Sequence, residues 1–187
     1  SYFENRIVEA LYGPRRAAQE AALSFDDMQA AIAENGATAA VTRLRLPSGE
    51  DAPDGGAGGI VYDKGAAFLR TMEHSVGRER WDAYLRSWFD RHAFQPATSA
   101  MFVADLRANL VRGDADLERR LMIDEWVYQP GLPANVARPD PAAFADVDRA
   151  VAAARRAFET FSLTSRAERL DLLDAIIAEA NARSQDL

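Results

Sequence analysis

The chain has 187 residues, 48% of them hydrophobic, and a formal net charge of −7. That length allows one domain or two small ones with a sizeable core. The acidity, with no basic cluster interleaved with aromatics, excludes nucleic acid as an expected partner. There is no cysteine, which excludes disulfides, thiolate metal sites and cysteine nucleophiles. No apolar run is long enough to span a bilayer, so no membrane insertion is expected. The chain reads as soluble, cytoplasmic or exported. Ser1-Tyr2-Phe3-Glu4 is not a signal peptide. It has no Met and a helical pattern is already running, so this start is expected to be a cut, and the compartment stays open.

The elements read as nearly all helix. Phe3, Ile7, Val8 and Leu11 share one helical face. Gly13-Pro14 ends that helix and opens the next, since proline suits a first turn. Ala18, Ala22, Phe25, Met28 and Ile32 continue a stripe, with a possible kink near Ser24, until Asn35-Gly36. Val41 to Leu46 alternates and is expected to be a short extended piece. Pro47 to Gly59 is turn-rich, and a loop of that length is expected to be functional or disordered. Order resumes at Tyr62, with Leu69, Met72 and Val76 on one face and Gly77 as cap. Trp81, Leu85, Trp88 and Phe89 define another helix. Thr98 is an N-cap for the following one, which holds Met101, Phe102, Leu106 and Leu110 and stops at Gly113. Leu117, Leu121 and Trp126 predict one more helix before Pro130-Gly131-Leu132-Pro133. Beyond Pro139 and Pro141, residues Phe144, Val147, Val151, Phe158 and Phe161 recur at helical spacing. Ser165 with Glu168 is a capping box leading into Leu172, Leu173, Ile176 and Ile177. The seam between two parts is expected between Asn135 and Phe144.

The chemistry is sparse. The two histidines, His74 and His92, fall on different helices and outside His-Glu-x-x-His, so the bland reading of each is a helix polar residue rather than a zinc ligand. Glu20, Asp26 and Asp27, and likewise Asp114, Asp116 and Glu118, read as solvated faces or first-turn charges. Gly55, Gly56, Gly58 and Gly59 fit no phosphate-loop register. Tyr62 stands at the mouth of a helix, beside Lys64, the chain's single lysine. A phenol placed there can donate a hydrogen bond to a developing negative charge. Spacing alone also allows a packed tyrosine whose hydroxyl serves a local bond, and that is the simpler reading.

Tyr62-Asp63-Lys64-Gly65-Ala66 resembles the Y-x-K-G-A signature of the zinc aminopeptidases related to aminopeptidase N, a gluzincin metallopeptidase family. Trp126 through Pro133 is similar to the W-x-Y-x-P-G-L-P segment of its leukotriene A-4 hydrolase and aminopeptidase B branch. Ser1 to Glu4 looks like the tail of N-E-G-F-x-x-Y-F-E, and Arg80 to Leu85 and His92 to Gln95 also fit. The resemblance covers roughly residues 1–137. It implies that this mainly α chain is the helical half of a thermolysin-like catalytic domain, and the pattern beyond it reads as a C-terminal helical hairpin in 138–187. It implies metal-assisted hydrolysis of N-terminal peptide bonds, a peptide substrate, zinc as the family's cofactor, and Tyr62 as the hydrogen-bond donor to the oxyanion. The family's zinc motif and third ligand are expected before Ser1, so no zinc is expected on this chain and no activity of it alone. A second tyrosine used in the branch's epoxide chemistry is missing around Ala57, which favours peptidase ancestry. The tail, Asp146 to Phe158 and Thr164 to Arg169, resembles the N-terminal helical segment of aldehyde dehydrogenases. It is expected to be either foreign or a diverged C-terminal domain. The alternatives are a non-catalytic helical interaction module and a hybrid of the two enzyme fragments.

Overall fold

Glycines in left-handed backbone punctuate the first half of the chain, and a computed structural model describes residues 2–46 and 59–184. Helix α1 (Tyr2–Tyr12) ends at Gly13, whose φ of 87° is open to glycine and costly for other residues. Pro14 opens α2 (Pro14–Asn35) at its first turn, and Gly36 at φ 91° closes it. The buried face of α2 is Ala17, Ala21, Phe25, Met28 and Ile32, so the expected stripe holds from Phe25 on but begins one residue earlier in the alanines. Helix α3 (Ile60–Val76) and α4 (Arg78–Arg91) meet at Gly77, φ 85°.

Thr98 caps α5 (Ser99–Leu106) as expected, its side chain accepting from the Met101 amide. The helix then widens into a π-turn at Arg107–Val111, and Arg112 stands left-handed at φ 56°. The helix expected around Leu117 and Trp126 is two short ones, α6 (Ala115–Leu121) and α7 (Ile123–Tyr128). Met122 separates them with φ 49° and ψ 45°. A left-handed methionine carries no sequence signal, and the break lets Leu121, Ile123 and Trp126 all face inward.

Val41 to Leu46 is not a strand. Ala40–Thr42 make one 3-10 turn, and Arg43 beyond it is extended. The Arg45 amide donates to the Val127 carbonyl at 2.9 Å, so this segment pairs with the end of α7 and no ladder forms. No strand occurs among the described residues, and the mainly helical class read from the sequence holds. Of the turn-rich loop, residues 47–58 lie outside the described residues.

The chain divides into two units at Ala143 and Phe144. In the first, α1 to α4 pack in sequence and α5 to α7 close over α3 and α4. The core is aromatic: Trp81 and Trp126 are fully buried, and Phe68 lies 5.6 Å from the Trp126 ring. The stripe Phe3, Ile7 and Leu11 is different, because all three are exposed. The α1 face that enters the core is that of Tyr2. The second unit is α8 (Ala145–Phe161) and α9 (Arg166–Ser184). Its capping box forms as read: the Ser165 amide donates to Glu168 at 2.7 Å, and the Glu168 amide to Ser165 Oγ at 3.3 Å. No residue of α8 is buried, and Leu172, Leu173, Ile176 and Ile177 of α9 are exposed.

Candidate functional site

Tyr62 occupies the first turn of α3, where its amide donates to the Gly59 carbonyl at 3.0 Å. Its side chain is 71% exposed, and its hydroxyl makes no hydrogen bond among the described residues. It is therefore not a tyrosine packed at a helix start. The backbone beneath it is held on two sides. Asp63 accepts from Ser24 Oγ of α2 at 2.7 Å. Lys64 is buried completely, and its ammonium donates at 2.9 Å to the carbonyls of both Thr42 and Gln129.

Lys64 joins the two segments that were singled out in the sequence. Gln129 belongs to the Trp126–Pro133 run, and Lys64 stands two residues after Tyr62. The join has further ties. The Gly131 amide donates to Thr42 Oγ1 at 2.8 Å, and Thr42 is itself fully buried. Gly131 sits at φ 70°, and a Cβ there would lie 2.8 Å from the Ala37 carbonyl oxygen, so only glycine lets the two backbones approach. Asn135 Oδ1 accepts from Trp126 Nε1 at 2.9 Å, and its amide nitrogen donates to the carbonyls of Arg120 and Leu121. The Ala137 amide donates to Thr71 Oγ1 of α3 at 3.0 Å. Residues 129–137 are thus strapped along α3, from Lys64 to Thr71.

An ammonium buried without a carboxylate is electrostatically costly. Burial lowers the Lys64 pKa to about 8, and the positive charge of Arg43 adds to the effect. Arg43 Nε is also buried with no hydrogen-bond partner among the described residues. Arg45 stacks its guanidinium over Tyr128, 5.9 Å from the ring centre. The face behind Tyr62 is cationic and closely fixed.

The opposite end of α3 carries a second polar network. The Tyr2 hydroxyl accepts from Trp81 Nε1 and Arg6 Nη1, each at 2.9 Å, and donates to Glu73 at 2.7 Å. Burial, and then the Glu73 carboxylate, push its pKa up to about 12. Arg6 grips Asp82 with two bonds of 2.8 Å. This network locks α1, α3 and α4 together. Several of the other residues weighed from the sequence have ordinary partners. His92 Nδ1 meets the Trp88 carbonyl at 2.9 Å and its ring stacks on Trp88. Glu20 pairs with Arg16, Glu118 with Arg107, and Asp114 caps α6. Among the described residues no group of three or more histidines, cysteines or carboxylates could hold a metal ion, and no helix is long and apolar enough to cross a membrane. The described residues therefore offer no ligand set that fits a catalytic zinc.

The sequence marks Lys64 as the chain's single lysine and as the lysine of Y-x-K-G-A. Its role, and those of Thr42 and Asn135, follow from which carbonyls arrive around them.

No protein-family model matches the chain. Leucine aminopeptidase 2 of Emericella nidulans is 31% identical over 137 residues, which is 71% of this chain and 22% of the relative. The leukotriene A-4 hydrolase homolog of Botryotinia fuckeliana is 25% identical over 142 residues, 72% of this chain and 21% of the relative. The structure of yeast leukotriene A-4 hydrolase in complex with bestatin superposes with a TM-score of 0.66 and 23% identity, covering 78% of this chain and 23% of the enzyme. The native Saccharomyces cerevisiae enzyme superposes at 0.69 with 21% identity, over 91% of this chain and 27% of the enzyme. These likenesses establish the fold. The chain spans about a fifth of the length of the curated relatives it matches. Over some seven-tenths of its own length it is a homologue of the zinc aminopeptidase family that contains leucine aminopeptidase 2 and leukotriene A-4 hydrolase.

Proposed function

We propose that this chain is the helical part of a zinc aminopeptidase catalytic domain and that Tyr62 is its oxyanion donor. In the complete enzyme the reaction is hydrolysis of an N-terminal peptide bond. A neutral phenol then donates a hydrogen bond to the oxygen on which charge collects in the tetrahedral intermediate. The carrying observation is the exposed Tyr62 hydroxyl, without a partner among the described residues, on a turn whose neighbours Asp63 and Lys64 are fixed on two sides. A donor held this way needs little reorganisation when charge develops. By itself the chain is inactive in this reading, because it has no His-Glu-x-x-His and no described metal-binding group.

The test is complementation. The chain is assembled with the zinc-bearing half of a related aminopeptidase, and hydrolysis of an amino-acid anilide is followed. Tyr62→Phe should lower kcat by about 100- to 1000-fold with little change in KM. An assembled complex whose activity ignores Tyr62→Phe removes the catalytic role.

A second reading has its own observation. Phe3, Ile7, Leu11 and Phe89 form an exposed apolar groove between α1 and α4, as a helical interaction module would. That module would leave the complemented enzyme silent. For the tail we favour a diverged domain of the same enzyme over an aldehyde-dehydrogenase segment, since the Saccharomyces cerevisiae superposition reaches beyond the first unit. Saturable binding of a nicotinamide dinucleotide would reverse that preference.

A further inference from the structure

On the side of α4 facing the π-turn lies a cleft of about 360 Å3. Its polar lining is Arg80, Arg91, Arg112, Tyr84, Ser87 and Asn109. The chain carries 29 carboxylate side chains against 22 basic ones, yet no carboxylate of the described residues lines this cleft. We propose that it is a binding site for a small phosphate-type oxyanion. The inference is independent of the peptidase reading.

The three guanidiniums are anchored rather than free. Arg80 donates to the Leu110 carbonyl and Arg112 Nε to the Asn109 carbonyl. Each anchor uses only part of a five-donor fork, so N–H groups remain for a ligand. Arg91 is held by Asp105, at 2.7 and 2.8 Å, and by Ser87. Asp105 also accepts from Asn109 at 3.0 Å. That carboxylate offsets one of the three positive charges from behind the cleft and leaves two uncompensated. Guanidinium forks match the paired oxygens of phosphate, and fixed forks lose little entropy on binding it.

An independent observation comes from Tyr84. It is 5% exposed, and its hydroxyl is buried with no partner at hydrogen-bond distance among the described residues. Burial, and then the Asp105 carboxylate as a neighbouring charge and hydrogen-bond acceptor, push its pKa up, so the phenol stays protonated. A buried donor without an acceptor is uncommon in a folded protein. An oxyanion seated among the arginines would supply the acceptor. The cleft admits phosphate or pyrophosphate with room for a small organic substituent.

The experiment is calorimetric titration of the 187-residue chain with inorganic phosphate and with pyrophosphate at low ionic strength, with chloride as control. Saturable binding of one ion per chain is expected, tighter for pyrophosphate. Arg112→Gly should weaken it about tenfold. That substitution removes the guanidinium at a φ of 56° that glycine accepts readily, so the fold is kept. Tyr84→Phe should weaken it by about threefold without lowering the urea midpoint. Arg16→Gln, on the exposed face of α2, should leave it unchanged. Absent or unsaturable binding, equal binding of chloride, or equal affinity in Arg112→Gly and the parent chain overturns the site.

Discussion

Tyr62 and Lys64 are two residues apart and in opposite environments, one open to solvent and one sealed from it. The sealed lysine makes a prediction with a definite sign. In the unfolded chain its pKa returns to about 10.5, against about 8 when folded. Between those values the unfolded chain binds more protons than the native one, so this group makes stability rise with pH from about 8 to 10.5. Below pH 8 its unfavourable contribution is constant. Lys64→Met removes the titration and leaves the carbonyls of Thr42 and Gln129 without their donor. It should destabilise the fold by about 2 kcal/mol near neutral pH. Urea unfolding of both proteins across this pH range should show the difference between parent and variant growing above pH 8. A difference that is flat with pH would mean that Lys64 titrates at its ordinary value.

At the scale of elements, the strap of residues 129–137 rests on one close approach. Gly131→Ala places a methyl against the Ala37 carbonyl at 2.8 Å and in left-handed backbone. Neither neighbour is a flexible side chain, so a loss of about 2–3 kcal/mol is expected in urea unfolding. Thr98→Ala, which removes the α5 cap, should cost only about 1 kcal/mol. These elements were unequally legible in the sequence. Gly13-Pro14, Gly36, Gly77 and Thr98 announce helix ends through local backbone chemistry, and the ends stand there. Met122 announces nothing: a methionine adopts left-handed backbone only because Leu121, Ile123 and Trp126 gain burial from it. The alternation of Val41 to Leu46 pointed to a strand, but the Thr42 carbonyl and hydroxyl are engaged by Lys64 and Gly131 instead. Tyr62 was visible through its motif. The buried join between the two motifs was not, because it is made by carbonyls, which every residue carries.

At the scale of the whole molecule, burial is divided as unequally as the chain. Every member of the hydrophobic core lies between Tyr2 and Val127, inside the unit that ends at Ala143. The second unit buries none of α8 and leaves the apolar side chains of α9 exposed. Its order therefore draws on helix propensity and the Ser165–Glu168 box. Helices of 17 and 19 residues are marginal in water on those terms alone. The two pieces should behave differently when separated. Residues 1–143 should unfold cooperatively in urea, with a midpoint close to that of the full chain, because the core and both polar networks are intact. Residues 144–187 should show weak, temperature-sensitive helicity by circular dichroism and no cooperative transition. The reverse result, a cooperative 144–187 or a 1–143 that fails to fold, would overturn this division of stability.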